Sequence, residues 1–201
     1  RNSTIRNTGN ESVLLETLYS ASWICPYGRD LTLTYMTSAW GNEYNIVKQP
    51  LNQSPVLLES RAGVSNATTF PYFAVDKNAT EDRGEVWFGS LQYSGNWQIK
   101  AGRDRNASPQ ILGGISDFNT TYSLAAGEEF TTPVFTGGYS NKGFGESRRQ
   151  FHDYIRKTSK SVWTNKVIPA VYNSWGTFAF DIDEKLLLDQ AKRAKDAGME
   201  V

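Results

Sequence analysis

The sequence has a single cysteine, Cys25, and a single histidine, His152, among its 201 residues. A lone thiol closes no internal disulfide, so the chain is not a cystine-stapled miniprotein. Cys25 is either buried and inert or bridged to polypeptide outside these residues. A lone imidazole, in Phe151-His152-Asp153, builds neither a catalytic triad nor a multi-histidine metal centre without partners at recognisable spacing. It is read as a helix residue at a domain interface. Excess charge of either sign is missing too: 21 Lys and Arg balance 21 Asp and Glu. Nucleic acid and membrane surfaces therefore have little electrostatic reason to bind. No apolar run reaches bilayer-spanning length. The first residue is Arg1 and no signal peptide is visible, so the native start is expected upstream.

What is present is enough apolar material for a real core, 39% of the residues. From the start to about Leu124 the pattern has period two, punctuated by Gly, Asn, Asp and Pro. Strands are predicted at Ser12 to Trp23, Leu31 to Met36, Tyr44 to Lys48, Val56 to Ser60, Phe70 to Val75, Gly84 to Tyr93, Trp97 to Lys100 and Gln110 to Ile115. A spacing of eight to twelve residues is that of a large antiparallel sandwich, whose core accounts for most of the aromatic content. Val134-Phe135 before Gly137-Gly138 reads as a further edge strand. Lys142 to Lys157 has helical spacing, with Phe151, Tyr154 and Ile155 on one face. Thr158 to Lys166 is read as a linker.

Seven of the 14 asparagines stand in Asn-X-Ser/Thr context. Asn2, Asn10, Asn66, Asn78, Asn106 and Asn119 are candidate glycosylation sites, whereas Pro55 after the Asn52 sequon disfavours that one. The density points to a secreted glycoprotein carrying N-linked glycans.

Ile168 to Trp175 is a short apolar run ending in Asn173-Ser174-Trp175, predicted as a buried parallel strand. A helix from Asp181 to Gly198 follows, with an acidic capping-box-like start at Asp181 and Glu184, one face of Leu187, Ala191, Ala194 and Ala197, and Gly198 as its stop. Met199-Glu200-Val201 reads as the onset of a second strand. One buried strand needs parallel neighbours on both edges, and the preceding sequence offers none. The rest of the same polypeptide is expected to supply them.

These residues resemble a known family. Tyr172-Asn173-Ser174-Trp175, the turn with Asp181, Lys185 to Leu188 and Ala191 to Gly198 are similar to the first strand and helix of the catalytic barrel in glycoside hydrolase family 36, the larger α-galactosidases. Upstream, Glu59 to Gly63, Gly84 to Gly89 with Tyr93 to Trp97, and Thr132-Pro133 with Tyr139-Ser140 and Ser147 to His152 resemble the later half of its amino-terminal sandwich and the helix leading to the barrel. Each motif is weak alone; together they run in the family's order along the whole chain.

The resemblance implies a mainly β fold, a large antiparallel β-sandwich followed by a helix linker and the start of a (β/α)8 barrel. Residues 1–140 would be part of the sandwich domain, 141–166 the helix and linker, and 167–201 the first β-α unit of a truncated barrel. It implies a secreted, fungal-type retaining α-galactosidase acting on α-galactoside oligosaccharides, with no cofactor and a tendency to homo-oligomerise. Trp175 would line the galactose pocket, where an indole face suits a sugar ring; the alternative is that it plugs the barrel mouth. Gly176 stands where the family usually has Glu. The family's Asp-Asp-Gly-Trp motif would follow Val201 and its catalytic carboxylates lie further on, so these 201 residues alone are expected to be inactive. The rival reading is a non-catalytic sandwich that binds glycans or another subunit.

Other constellations point to structure. Asp181 and Asp183 are read as helix caps rather than an acid/base pair. Asp76, Glu81, Asp82 and Glu85 are read as a solvated face, since no calcium-loop pattern is present. Gly137-Gly138 and Gly143-Gly145 lack the context for phosphate binding. The Tyr93 to Trp97 hairpin is the best candidate for a sandwich loop reaching sugar, with core packing as its competing use.

Overall fold

Period-two segments become strands because a pleated chain sends alternate side chains to opposite faces. In the computed structural model these are β1 (Thr4–Arg6), β2 (Val13–Leu15), β3 (Leu18–Ile24), β4 (Thr32–Ala39), β5 (Asn42–Pro50), β6 (Val56–Ser60), β7 (Tyr72–Asp76), β8 (Val86–Gln92), β9 (Trp97–Arg103), β10 (Pro109–Ile115), β11 (Tyr122–Leu124), β12 (Glu129–Thr131) and β13 (Val134–Ser140). Three helices follow: α1 (Gly143–Thr158), α2 (Trp175–Phe178) and α3 (Glu184–Asp196). All residues are described except Tyr27, Arg29, Asn66, Ala67, Lys160, Thr164, Asn165, Glu200 and Val201. The Asn66 sequon, part of the expected linker and the end of the expected second strand therefore lie outside the described residues. The chain divides into two units, Arg1–Tyr154 and Ile155–Val201.

The first unit is the expected mainly β sandwich. One sheet has the order β3-β10-β9-β6 and the other β13-β8-β7-β4-β5, and every ladder between these strands is antiparallel. Between them lie Leu58, Trp97, Ile99, Ala101 and Ile111 from the first sheet and Leu33, Phe73, Val75, Leu91 and Phe135 from the second. Trp97, Phe73 and Phe135 are at most 2% exposed, and each such burial contributes roughly 1.5–3 kcal/mol. The predicted strand from Ser12 to Trp23 is in fact two. β2 pairs with β11 and β3 with β10, so Glu16-Thr17 is where the chain passes from one ribbon to another sheet.

β7 is buried at four of its five residues, which alternation alone does not give. Its second face is covered by α1: Phe144 and Phe151 pack on Ala74, Val86 and Phe88. The start of α1 is tied to the loop before β8. The N–H groups of Gly143, Phe144 and Gly145 donate to the carbonyls of Gly84, Thr80 and Glu81 at 2.8, 3.0 and 2.9 Å, which satisfies donors that a helix N-terminus otherwise leaves orphaned. Arg148 adds an ion pair to Glu81. Of the predicted helix face, Phe151 and Tyr154 meet the sheet, Tyr154 accepting from Gln92 at 2.7 Å, while Ile155 is exposed.

Asp76 departs from the solvated face expected of the acidic loop. It is 3% exposed and its Oδ1 accepts the Ala79 N–H at 2.9 Å, because it caps the tight turn that ends β7. Glu85 accepts a hydrogen bond from the Tyr139 hydroxyl at 2.6 Å.

In the second unit the run from Ile168 to Trp175 is not the predicted strand. Among the described residues it has no ladder partner, and Ile168, Val171 and Trp175 are exposed. A strand exists only where a neighbour takes its hydrogen bonds, and among the described residues of this unit there is no second strand. The helix is present with a corrected start: Asp183, not Asp181, is its cap, accepting the Leu186 N–H at 2.7 Å. Its end is as predicted. Gly198 (φ +82°) and Met199 donate to Lys195 and Ala194, the paired bonds of a Schellman stop. The expected apolar face is also shifted: Leu186, Gln190 and Ala194 are half-buried and Leu187 is exposed.

Candidate functional site

Trp175 is set by a local device. The Asn173 side chain accepts the Trp175 N–H at 2.9 Å, bending the chain so that α2 starts on the indole-bearing residue. The indole is 55% exposed and rests edge-to-face on Phe180, with ring centroids 4.8 Å apart. An indole held this way and still half exposed leaves ring surface for a ligand at low entropic cost, since only two torsions need fixing. Beside it, a Cβ added at Gly176 would meet nothing within 4 Å, so the position has room for a larger side chain. Asp183 is used as a cap and is not available as half of an acid/base pair.

The Tyr93 to Trp97 hairpin splits between its two readings. Trp97 is fully buried and its indole N–H donates to the Ser65 carbonyl, so it is core; Tyr93 is 37% exposed. Cys25 is buried and unbridged, and burial pushes its thiol up to about 11, which leaves almost no nucleophilic thiolate at neutral pH. His152 lies on α1, exposed. Among the sequons, Asn2, Asn10, Asn52, Asn78, Asn106 and Asn119 are all exposed.

Two clefts in the sandwich unit went unforeseen. The larger, about 720 Å³, lies on the outer face of the five-stranded sheet beside α1, with Tyr44, Ile46, Lys48, Phe70, Phe144 and Phe151 in its walls. The Lys48 ammonium stands over the Phe144 ring at 4.8 Å. The smaller, about 320 Å³, opens between the sheets at their β3 and β13 edges. Trp23, Trp87 and Tyr139 wall it, together with Cys25, Phe73 and Gly137. These three aromatics come from β3, β8 and β13, far apart in sequence, so no local spacing announces them. The legible signal was Gly137-Gly138, because glycine inside a strand marks close approach to its backbone. A Cβ at Gly137 would stand 3.2 Å from the Trp23 ring.

The chain matches the family model described as the glycosyl hydrolase family 36 N-terminal domain over residues 1–125. The chain belongs to glycosyl hydrolase family 36. A second model, described as melibiase, matches residues 129–201 of this family 36 chain. Alpha-galactosidase AgaA of Geobacillus stearothermophilus is 30% identical over 100% of this chain and 28% of its own length. Alpha-galactosidase 2 of Hypocrea jecorina is 26% identical over 100% of this chain and 27% of its own. A crystal structure of an AgaA variant in complex with stachyose superimposes with a TM-score of 0.91 at 29% identity, covering 100% of this chain and 28% of that one. The chain thus spans between 21% and 28% of the length of these and other curated relatives that it matches.

Proposed function

We propose that the protein to which this family 36 chain belongs is a retaining α-galactosidase, releasing terminal α-linked galactose from oligosaccharides. The observation that carries this is the collinear match of the whole chain to relatives named alpha-galactosidases, one of them crystallised with stachyose. The chemistry would be double displacement, in which one carboxylate attacks the anomeric carbon and another protonates the leaving oxygen. Both carboxylates are expected outside these 201 residues.

Residues 1–140 then serve as sandwich, 141–166 as helix and linker, and 167–201 as the first β-α unit of a (β/α)8 barrel. The uncovered apolar side chains of Val167, Ile168 and Val171 support this, since parallel strands on either side would bury them. Trp175, at the carboxyl end of that run, takes the place where such barrels build their active sites. Its exposed indole supports a stacking role. Exposure of Asn2, Asn10, Asn78, Asn106 and Asn119 supports a secreted, glycosylated product.

The test uses the protein at its natural length. Galactose release from raffinose is expected, and Trp175→Ala is expected to lower kcat/KM about tenfold through lost stacking. No release by the unaltered protein overturns the reading, and an unchanged kcat/KM removes Trp175 from the pocket.

A further inference from the structure

β13 is the last strand of its sheet, and its outer edge is occupied at one end. There Arg1 is laddered onto it: the Arg1 nitrogen donates to the Phe135 carbonyl at 2.9 Å, and the Phe135 N–H donates to the Arg1 carbonyl at 2.7 Å. Two bonds exchanged between one pair of residues are the hydrogen-bonded pair of an antiparallel ladder. The same direction holds further in, where the Thr132 N–H donates to the Ser3 carbonyl and Thr4 to Arg6 pair with Thr131 to Glu129. The register shifts by one residue in between, a bulge at Pro133-Val134 where proline costs no ladder bond.

Beyond Phe135 the edge is open. β13 pairs with β8 without a break from Val134 to Ser140, so its backbone groups turn alternately to β8 and to the outer edge. Phe135 turns its N–H and C=O outward to Arg1, and Gly137 and Tyr139 therefore turn theirs outward too. Among the described residues no strand meets them. Exposure follows the pairing: Phe135, opposite Arg1, is fully buried, whereas Tyr139 is 44% exposed. From Val134 to Ser140 there is neither a charge nor a proline, the devices that keep a free edge from recruiting another strand. Glycine inside a strand marks close approach by another backbone, and this edge has two in succession.

We propose that in the natural-length protein the polypeptide preceding Arg1 runs antiparallel along β13 as a sixth strand of this sheet, and that its side chains close the 320 Å³ cleft. The register fixes which ones. Directly opposed residues of a ladder send their side chains to the same face, and Arg1 already does so, its guanidinium 5.7 Å from the centre of the Trp23 ring. Carried on, the ladder sets the residues two and four before Arg1 opposite Gly137 and Tyr139, on the face that lines the cleft. With Ile24, Phe73 and Trp87 in its walls, the cleft suits apolar side chains at both positions. In the longer chain the Arg1 nitrogen is an amide N–H, so its bond to Phe135 is kept. The proposal rests on the ladder and is independent of the galactosidase reading.

The test uses the natural-length protein. In amide hydrogen exchange resolved to single residues, Gly137 and Tyr139 are expected to exchange at least about a hundredfold more slowly than unstructured amides. A second measurement reads the register: Tyr139→Cys is combined with a cysteine placed four residues before Arg1. A hydrogen-bonded antiparallel pair sets Cα atoms about 5.5 Å apart, within the roughly 4.4–6.8 Å that a disulfide spans. Mild oxidation is expected to link them within one molecule, at least about fivefold more than when the second cysteine stands five residues before Arg1, where it faces the other side of the sheet. Cys25 is buried and does not compete. Rapid exchange at Gly137 and Tyr139 overturns the proposal, as does equal linking at the two positions. A disulfide that doubles the mass overturns it in favour of a second copy on this edge. Charged residues at both the second and fourth positions before Arg1 overturn the closing of the cleft. Where the double variant does not fold, exchange in the unaltered protein decides.

Discussion

At the scale of the residue, Asp76 shows how one side chain holds a loop and carries a pH dependence. One carboxylate oxygen closes the turn at Ala79; the other is buried with no partner among the described residues. Burial raises its pKa above the usual carboxylate range, opposed by the Ala79 hydrogen bond and the positive charge of Lys48. A carboxyl whose folded pKa is raised binds more protons folded than unfolded, so its contribution is complete below the unfolded value of about 4 and is lost as pH rises through the raised one. Asp76→Asn keeps an acceptor for Ala79 and removes the titration. Its urea midpoint, measured from pH 4 to 7, is therefore expected to fall less, or rise more, with rising pH than that of the unaltered protein. Parallel profiles would show that Asp76 titrates as it does in the unfolded chain.

At the scale of the element, the join between α1 and the sandwich depends on Gly143. Its φ of +72° is left-handed, and a Cβ there would stand 2.4 Å from the Thr80 carbonyl oxygen and 2.6 Å from the Arg83 nitrogen. Gly143→Ala is expected to cost about 2–4 kcal/mol from strain and clash together. Chemical denaturation followed by far-ultraviolet dichroism reads this; a loss under 0.5 kcal/mol would mean the loop yields freely. Such a join was hard to read from sequence, because the carbonyls that cap α1 lie about 60 residues before it. Elements with local causes were legible: β8 and β10 from alternation, and the end of α3 from Gly198. Elements with distant causes were not. Ile168 to Trp175 carries the residues of a strand, but no residue in it records whether a neighbour is there to pair. The same holds at the candidate sites. Asn173-Ser174-Trp175 is contiguous and could be singled out, whereas Trp23, Trp87 and Tyr139 meet only once β3, β8 and β13 are in register.

At the scale of the whole molecule, the two units differ in what sustains them. The sandwich has a continuous core with side chains at zero exposure. Among the described residues of Ile155–Val201 none is buried. Its 13-residue α3 has a cap, a Schellman stop and an i,i+4 ion pair between Asp189 and Arg193, together worth about 1–2 kcal/mol. A helix of that length is marginal in water without tertiary burial. In the 201-residue chain by itself, amide hydrogen exchange is therefore expected to be slow in β8 and β9 and orders of magnitude faster from Val167 to Ala197. In the natural-length protein, the barrel reading requires the amides of Ile168 to Trp175 to become protected, because parallel neighbours would take their hydrogen bonds. Protection of that run in the 201-residue chain would show that it finds its partner within these residues. Continued rapid exchange at natural length would remove it from the barrel wall, and with it the structural ground for placing Trp175 beside a sugar.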